Sequence, residues 1–170
     1  MSDSSCNKIG IPERLHHEGR EIVAFDKPGE TLFRRFNLEN QGDITACISF
    51  KNMSVNRGLL SELKDALLNT QTGETYLGHG VIQFCVRDVE LVSIKLEMNS
   101  SVYGLRPVHA PNKCNYSHSE VIATKDSHLT PEINSATIKL EMRKAFKRFV
   151  KVALPIDRAG EELPVKLAKD

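Results

Sequence analysis

Apolar and polar positions alternate in short runs through most of the chain, and a period of two places successive side chains on opposite faces of a strand. Glu21 to Phe25 forms one such run, closed by the Pro28-Gly29 turn signal, and Thr31 to Phe36 forms the next. In the second run Leu32, Arg34 and Phe36 fall on one face, and Thr31, Phe33 and Arg35 on the other. An arginine therefore shares a face with apolar neighbours whichever side is buried, and a buried guanidinium must be paired or line a cleft. Ile44 to Phe50 reads as a third strand. Val81 to Val86 and Val89 to Leu96 read as adjacent strands joined through Arg87-Asp88, and Val102 to Val108 and Glu120 to Thr124 as two more.

The period changes twice. Leu59, Leu60, Leu63, Ala66 and Leu67 recur at three and four residues, which predicts an amphipathic helix ending near Asn69. Thr130-Pro131-Glu132 supplies a cap, a first-turn proline and an acidic residue for the positive end of a helix dipole. A long final helix should start there, with Ile138, Met142, Ala145, Phe149 and Val152 on its buried stripe and Pro155 as its stop. Many short strands, one mid-chain helix and one long C-terminal helix predict a single-domain α+β fold around a largely antiparallel sheet. Residues 1–10 read as a disordered N-terminal tail, 11–155 as the domain and 156–170 as a loosely attached C-terminal tail.

Composition narrows the classes of function. The 170 residues suffice for one core, and 23 basic against 22 acidic side chains leave a formal charge of +1. Whole-molecule charge thus carries no polyanion-binding signature, and any basic surface is local. No apolar run approaches the roughly 18 residues of a spanning helix, and Met-Ser-Asp-Ser-Ser-Cys lacks the basic-then-apolar order of an export signal. A cytoplasmic protein with no membrane partner is expected. Cys6, Cys47, Cys85 and Cys114 include no C-x-x-C pair and then read as reduced, mostly buried thiols.

Candidate chemistry is densest between Pro107 and Ile122. His109-x4-Cys114-x3-His118, with Glu120 nearby, offers the ligand types that zinc takes but lacks a paired clamp, so no metal is assigned and a loop of solvated histidines is the plainer reading. His118 immediately precedes a strand, where a scaffold can hold a titrating group over a cleft; a histidine capping the strand end is the alternative. Arg34 or Arg35 can anchor a phosphate or carboxylate in two-point fashion, or else serve as edge-strand charges. Ser54-Val55-Asn56-Arg57 sits where a strand is expected to end and a helix to begin, so helix amides with Ser54 and Arg57 could receive an anion; a plain cap is the alternative. Lys139, Arg143, Lys144, Lys147, Arg148 and Lys151 make the last helix basic, either as a solvated face or as a surface for nucleic acid or an acidic protein.

The ordered pattern Leu32-Phe33-Arg34-Arg35, Phe50, Met53-Ser54-Val55-Asn56-Arg57, Gly80-Val81, Pro111, Asn115 and His118-Ser119-Glu120-Val121-Ile122 is similar to a group of small bacterial proteins. Members read L-x-R-R, S-V-x-R and N-x-x-H-x-x-[IV]. No activity is attached to that group, so the resemblance supports a choice of residues. The order of a strand arginine, a serine on a following strand and a polar residue on a later one also resembles ADP-ribosyltransferase-like folds, including RES-type proteins that degrade NAD. That resemblance implies a cleft with Arg34 or Arg35 on a dinucleotide phosphate, Ser54 in the site, and His118 or Glu120 as the later polar residue. The paired-glutamate motif of the arginine- and actin-modifying members is absent.

Two expectations follow. One is a nucleotide site, with NAD as the candidate cofactor or substrate, in which Arg34, Arg35, Arg57 and Asn115 bind and His118, Glu120 and Ser54 do the chemistry. The other is a noncatalytic interaction protein of a bacterial defence or toxin–antitoxin system that uses the Lys139 to Lys151 helix.

Overall fold

The computed structural model describes residues 5–37, 39, 48–51, 53–96, 100–130 and 132–154. In chain order the elements are α1 (Ser5–Lys8), β1 (Thr31–Asn37), β2 (Met53–Arg57), β3 (His79–Cys85), α2 (Val86–Glu90), β4 (Ser93–Lys95), β5 (Val102–His109), β6 (His118–Lys125), β7 (His128–Leu129), α3 (Ala136–Lys147) and β8 (Lys151–Leu154). Single 3-10 turns lie at Glu13–Leu15 and Leu63–Leu67. The strands form one sheet in the order β4-β5-β6-β2-β1-β3-β8, with β7 also on β6, and every pairing is antiparallel. The chain is thus a single α+β domain with a mostly antiparallel sheet, a short mid-chain helix and a longer C-terminal one.

Alternation along the central strands decides which face is core. Leu32 and Phe36 of β1, Met53 and Val55 of β2, and Val121 and Ala123 of β6 are buried in one cluster with Ile138, Met142 and Phe146 of α3. Phe146 meets Phe84 of β3 edge to face with ring centroids 4.8 Å apart, so the helix is seated by its i, i+4, i+8 stripe.

Several expected elements are corrected. Val86 to Glu90 is a helix rather than part of a strand pair: the Val86 and Arg87 amides donate to the Glu30 and Pro28 carbonyls, and Val86 and Val89 point one turn apart into the core. Strand β4 consequently lies at the far edge of the sheet from β3. The helix expected over 59–69 reduces to the 3-10 turn, because the buried Asp65 carboxylate takes both the Glu62 amide and the Arg14 guanidinium, and Leu59 is left exposed. Helix α3 starts at Ala136 rather than at Thr130, where Ser135 accepts a hydrogen bond from the Ile138 amide. Val152 lies on β8 beyond it.

Residues 21–25 are extended without joining the sheet. Side chains take their backbone groups instead: Tyr116 donates to the Glu21 carbonyl, Val23 N–H donates to His109 Nδ1, and Arg57 donates to the Val23 and Ala24 carbonyls. From Ser5 onward the N-terminal residues pack on the domain, with Cys6 and Ile11 buried and Cys6 joined to Cys114 in a disulfide. That bond corrects the expectation of reduced thiols at both positions. Residues 1–4, most of the strand expected over 44–50 with Cys47, the stop at Pro155 and all of the tail 156–170 lie outside the described residues.

Candidate functional site

The face of the sheet opposite α3 carries polar side chains, and strand register lines them up. Phe33 pairs with Asn56, and Asn56 pairs with His118, giving one row across β1, β2 and β6. Two residues along each strand on the same face stand Arg35, Ser54 and Glu120, with Ser54 and Glu120 paired directly. A cavity of about 550 Å³ opens over this floor. Its lining includes Phe33, Arg34, Arg35, Ser54, Asn56, Asn115 and His118, with further walls from residues 68–71, Tyr76 and Asn112.

Each group is held in a definite way. The Arg35 guanidinium carbon lies 3.4 Å from the centroid of the Tyr76 ring, a cation–π contact. Arg34 donates to the Ser54 carbonyl at 2.8 Å, which ties β1 to β2 at the cavity floor. Asn115 and Asn56 are both buried. Asn115 donates to the Asn56 carbonyl oxygen at 3.0 Å and accepts from the Ser117 hydroxyl at 2.7 Å, so the pair of amides is oriented by a chain of bonds.

His118 has a defined tautomer. Its Nδ1 is 2.6 Å from the Ala110 carbonyl, and since a carbonyl only accepts, Nδ1 carries the proton. In the neutral ring Nε2 is then the acceptor, the arrangement of a general base.

Arg57 does not join the others. Its Nε and Nη2 donate to the two Glu30 oxygens at 2.8 and 2.6 Å, Nη1 and Nη2 reach the Val23 and Ala24 carbonyls, and Phe25 stacks 4.0 Å away. Both partners are buried. This guanidinium fastens the 21–28 segment and has no role in the cavity lining. Nor does the Ser54–Arg57 stretch precede a helix; it is strand β2 itself, so no helix amides converge on it. Glu120 faces Ser54 across the β2–β6 pairing but is not among the cavity-lining residues.

The histidine–cysteine series separates in the same way. His109 is buried on β5, accepts from the Val23 amide at Nδ1 and donates from Nε2 to the Tyr116 carbonyl at 2.7 Å. Burial holds its pKa below the ordinary histidine value. With both His109 nitrogens committed and Cys114 bonded to Cys6, the three groups do not share an ion, and among the described residues no cluster of three or more such side chains is placed to hold a metal. No described helix is long and apolar enough to cross a membrane.

Sequence reasoning missed Asn56, Tyr76, Asn112 and the 69–71 wall. Asn56 carried a signal, because period two along β2 puts it on the Ser54 face. Tyr76 carried none, since it reaches the cavity through a loop. The chain matches no protein-family model, no curated protein and no solved structure.

Proposed function

We propose that the cavity binds a phosphate-bearing nucleotide, with NAD or its ADP-ribose part the leading ligand, and that its chemistry is ADP-ribosyltransferase-like in class. The observation that carries this is the meeting of Arg34, Arg35, Ser54, Asn115 and His118, drawn from three strands and a loop, around one hollow. Its volume of about 550 Å³ lies within the roughly 300–1,000 Å³ of small-molecule sites. Arg35, held against Tyr76, is suited to grip a phosphate, while Arg34, on the Leu32 and Phe36 side of β1 by alternation, braces the cavity floor through the Ser54 carbonyl. Ser54, Asn56 and Asn115 supply donors and acceptors for ribose hydroxyls. His118 Nε2 takes a proton from a water or hydroxyl that attacks the bound ligand.

A cytoplasmic site of action goes with this assignment, as does membership of a small bacterial protein group of the kind the motifs resemble. The test is calorimetric titration with ADP-ribose and NAD, followed by measurement of NAD consumption. Binding to the wild type, loss of binding in Arg35→Gln, and retained binding with lost turnover in His118→Gln are expected. Absence of binding by either ligand at millimolar concentration contradicts the proposal.

A second reading rests on α3 and its C-cap, where Lys139, Lys144 and Lys147 of the helix and the capping Arg148 are exposed, followed by exposed Lys151. Lys144 is already paired with Glu141, and Arg143 donates to the Ile48 carbonyl. If that face meets nucleic acid, affinity falls steeply with salt and with charge removal at Lys147 or Arg148.

A further inference from the structure

A second apolar cluster lies behind the cavity. Cys6, Ile11 and Leu15 are buried together, with Ile9, Leu68 and Cys114 packed against them. Two of those neighbours belong to the cavity walls: Leu68 lines it directly, and Cys114 stands between the lining residues Asn112 and Asn115. Gly73 follows the other wall in the left-handed conformation, and a side chain there would run into the Ile9 carbonyl. Residues 5–17 therefore form a strap across the back of both walls.

The strap is fastened unequally along its length. Its second half has noncovalent ties: Arg14 makes a two-point pair with Asp65 at 2.8 and 2.7 Å, Tyr116 N–H donates to the Leu15 carbonyl at 2.7 Å, and His17 N–H donates to the Lys113 carbonyl at 3.1 Å. Its first half is held by apolar packing of Cys6, Ile9 and Ile11 against Leu68, with backbone bonds from Ile11 N–H to the Cys6 carbonyl and from Gly10 N–H to the Asn7 carbonyl. The Cys6–Cys114 bond, across 108 residues, joins that half to the tip of the Asn112–Asn115 turn.

We infer that the Cys6–Cys114 disulfide is a redox-operated latch on the cavity: closed, it pins the turn that presents Asn112 and Asn115; reduced, it releases residues 5–11 and loosens that wall. The reductant is a dithiol. One of its thiolates attacks the sulfur of Cys114, the partly exposed partner, the Sγ–Sγ bond breaks, and Cys6 leaves as a thiolate and takes up a proton. The second reductant thiolate then displaces Cys114, which is protonated in turn, and the dithiol ends as a disulfide. Cys6 Sγ lies 3.7 Å from the Lys113 carbonyl, so the new thiol has an acceptor at hand. The Arg14–Asp65 pair and the Leu15–Tyr116 bond survive this step, which makes release local and reversible. The effect on affinity rests on the ligand proposed above; the loosening of the wall does not.

The full chain is compared in oxidised form, after dithiothreitol, and after reoxidation, with Cys6→Ser as a permanently open variant. Amide exchange at Asn115 and Ile11 is expected to rise about tenfold or more on reduction and in Cys6→Ser while strand β6 stays protected. ADP-ribose binding is expected to weaken about tenfold and to recover on reoxidation. Alkylation of both Cys6 and Cys114 in protein never exposed to reductant overturns the latch, and so does unchanged exchange at the turn. Loss of protection throughout β6 also overturns it, by making the bond a staple for the whole fold. If the turn loosens but ADP-ribose binds neither form, the latch stands and the ligand assignment falls; if ADP-ribose binds both forms alike and the turn is unmoved, the reverse holds.

Discussion

Arg57 and Glu30 form a two-point ion pair in which neither side chain is more than 2 % exposed, although the two lie 27 positions apart in the chain. The pair is the anchor by which the extended segment 21–28 is tied to β2. Both carbonyl bonds from the same guanidinium close on that segment, at Val23 and Ala24.

Replacing Arg57 alone leaves the Glu30 carboxylate buried without its partner, which costs about 3–5 kcal/mol. Arg57→Met should therefore unfold at markedly lower urea concentration than the wild type, and Arg57→Met with Glu30→Gln should recover part of the loss. Chemical denaturation of the two variants checks this. An Arg57→Met protein of wild-type stability refutes the anchoring role.

His109 gives stability a pH dependence of definite sign. Burial lowers its folded-state pKa below the 6.5 of the free side chain, so the unfolded chain takes up this proton more readily than the folded one. The contribution is complete above about pH 6.5 and declines as pH falls below that value toward the lowered folded pKa. A glutamine in its place would keep an acceptor for Val23 N–H and a donor for the Tyr116 carbonyl without titrating. His109→Gln should accordingly flatten the fall in melting temperature on going from neutral to mildly acidic pH, as followed by thermal scans in a pH series.

The sheet was legible because period two survives in the sequence wherever one face is core. Leu32 and Phe36 alternate with Phe33 and Arg35, and Val121 and Ala123 alternate with Glu120 and Ile122, so β1 and β6 were legible near their true limits, whereas Met53–Arg57 reads as a strand end leading into a helix and is strand β2 itself. With them came Arg34, Arg35 and His118 as cavity residues, while Ser54 was singled out at an expected helix start that the structure does not have. What could not be read depended on partners far along the chain. Nothing local to Arg57 says that Glu30 will hold it, nothing local to Asp65 says that Arg14 will reach it, and nothing local to Cys6 points to Cys114. The 21–25 run has the composition of a strand and the conformation of one, but side chains from Arg57, His109 and Tyr116 occupy the backbone groups that a ladder would use.

Tyr76 is expected to act on ligand affinity through Arg35. Tyr76→Phe retains the ring under the guanidinium and should bind ADP-ribose as the wild type does, whereas Tyr76→Leu removes the stack and should weaken binding several-fold, for a contact of about 1 kcal/mol. Equal affinities in the two variants, measured by titration, exclude a positioning role for the ring.

Breaking the disulfide also has a thermodynamic signature. Cross-linking residues 108 apart restricts the unfolded chain, and such bonds typically contribute about 2–4 kcal/mol. Cys6→Ser with Cys114→Ser should lower the denaturation midpoint under oxidising conditions and match the reduced wild type. A double variant as stable as the oxidised protein contradicts this.

Whether Arg35 belongs to a ligand site while the basic face of α3 does not is decided by titration of ADP-ribose into the wild type, Arg35→Gln and Arg148→Gln. Saturable binding to the wild type, affinity reduced about tenfold or more in Arg35→Gln, and an unchanged constant in Arg148→Gln are expected. Undiminished binding in Arg35→Gln, or no binding by the wild type, refutes the assignment.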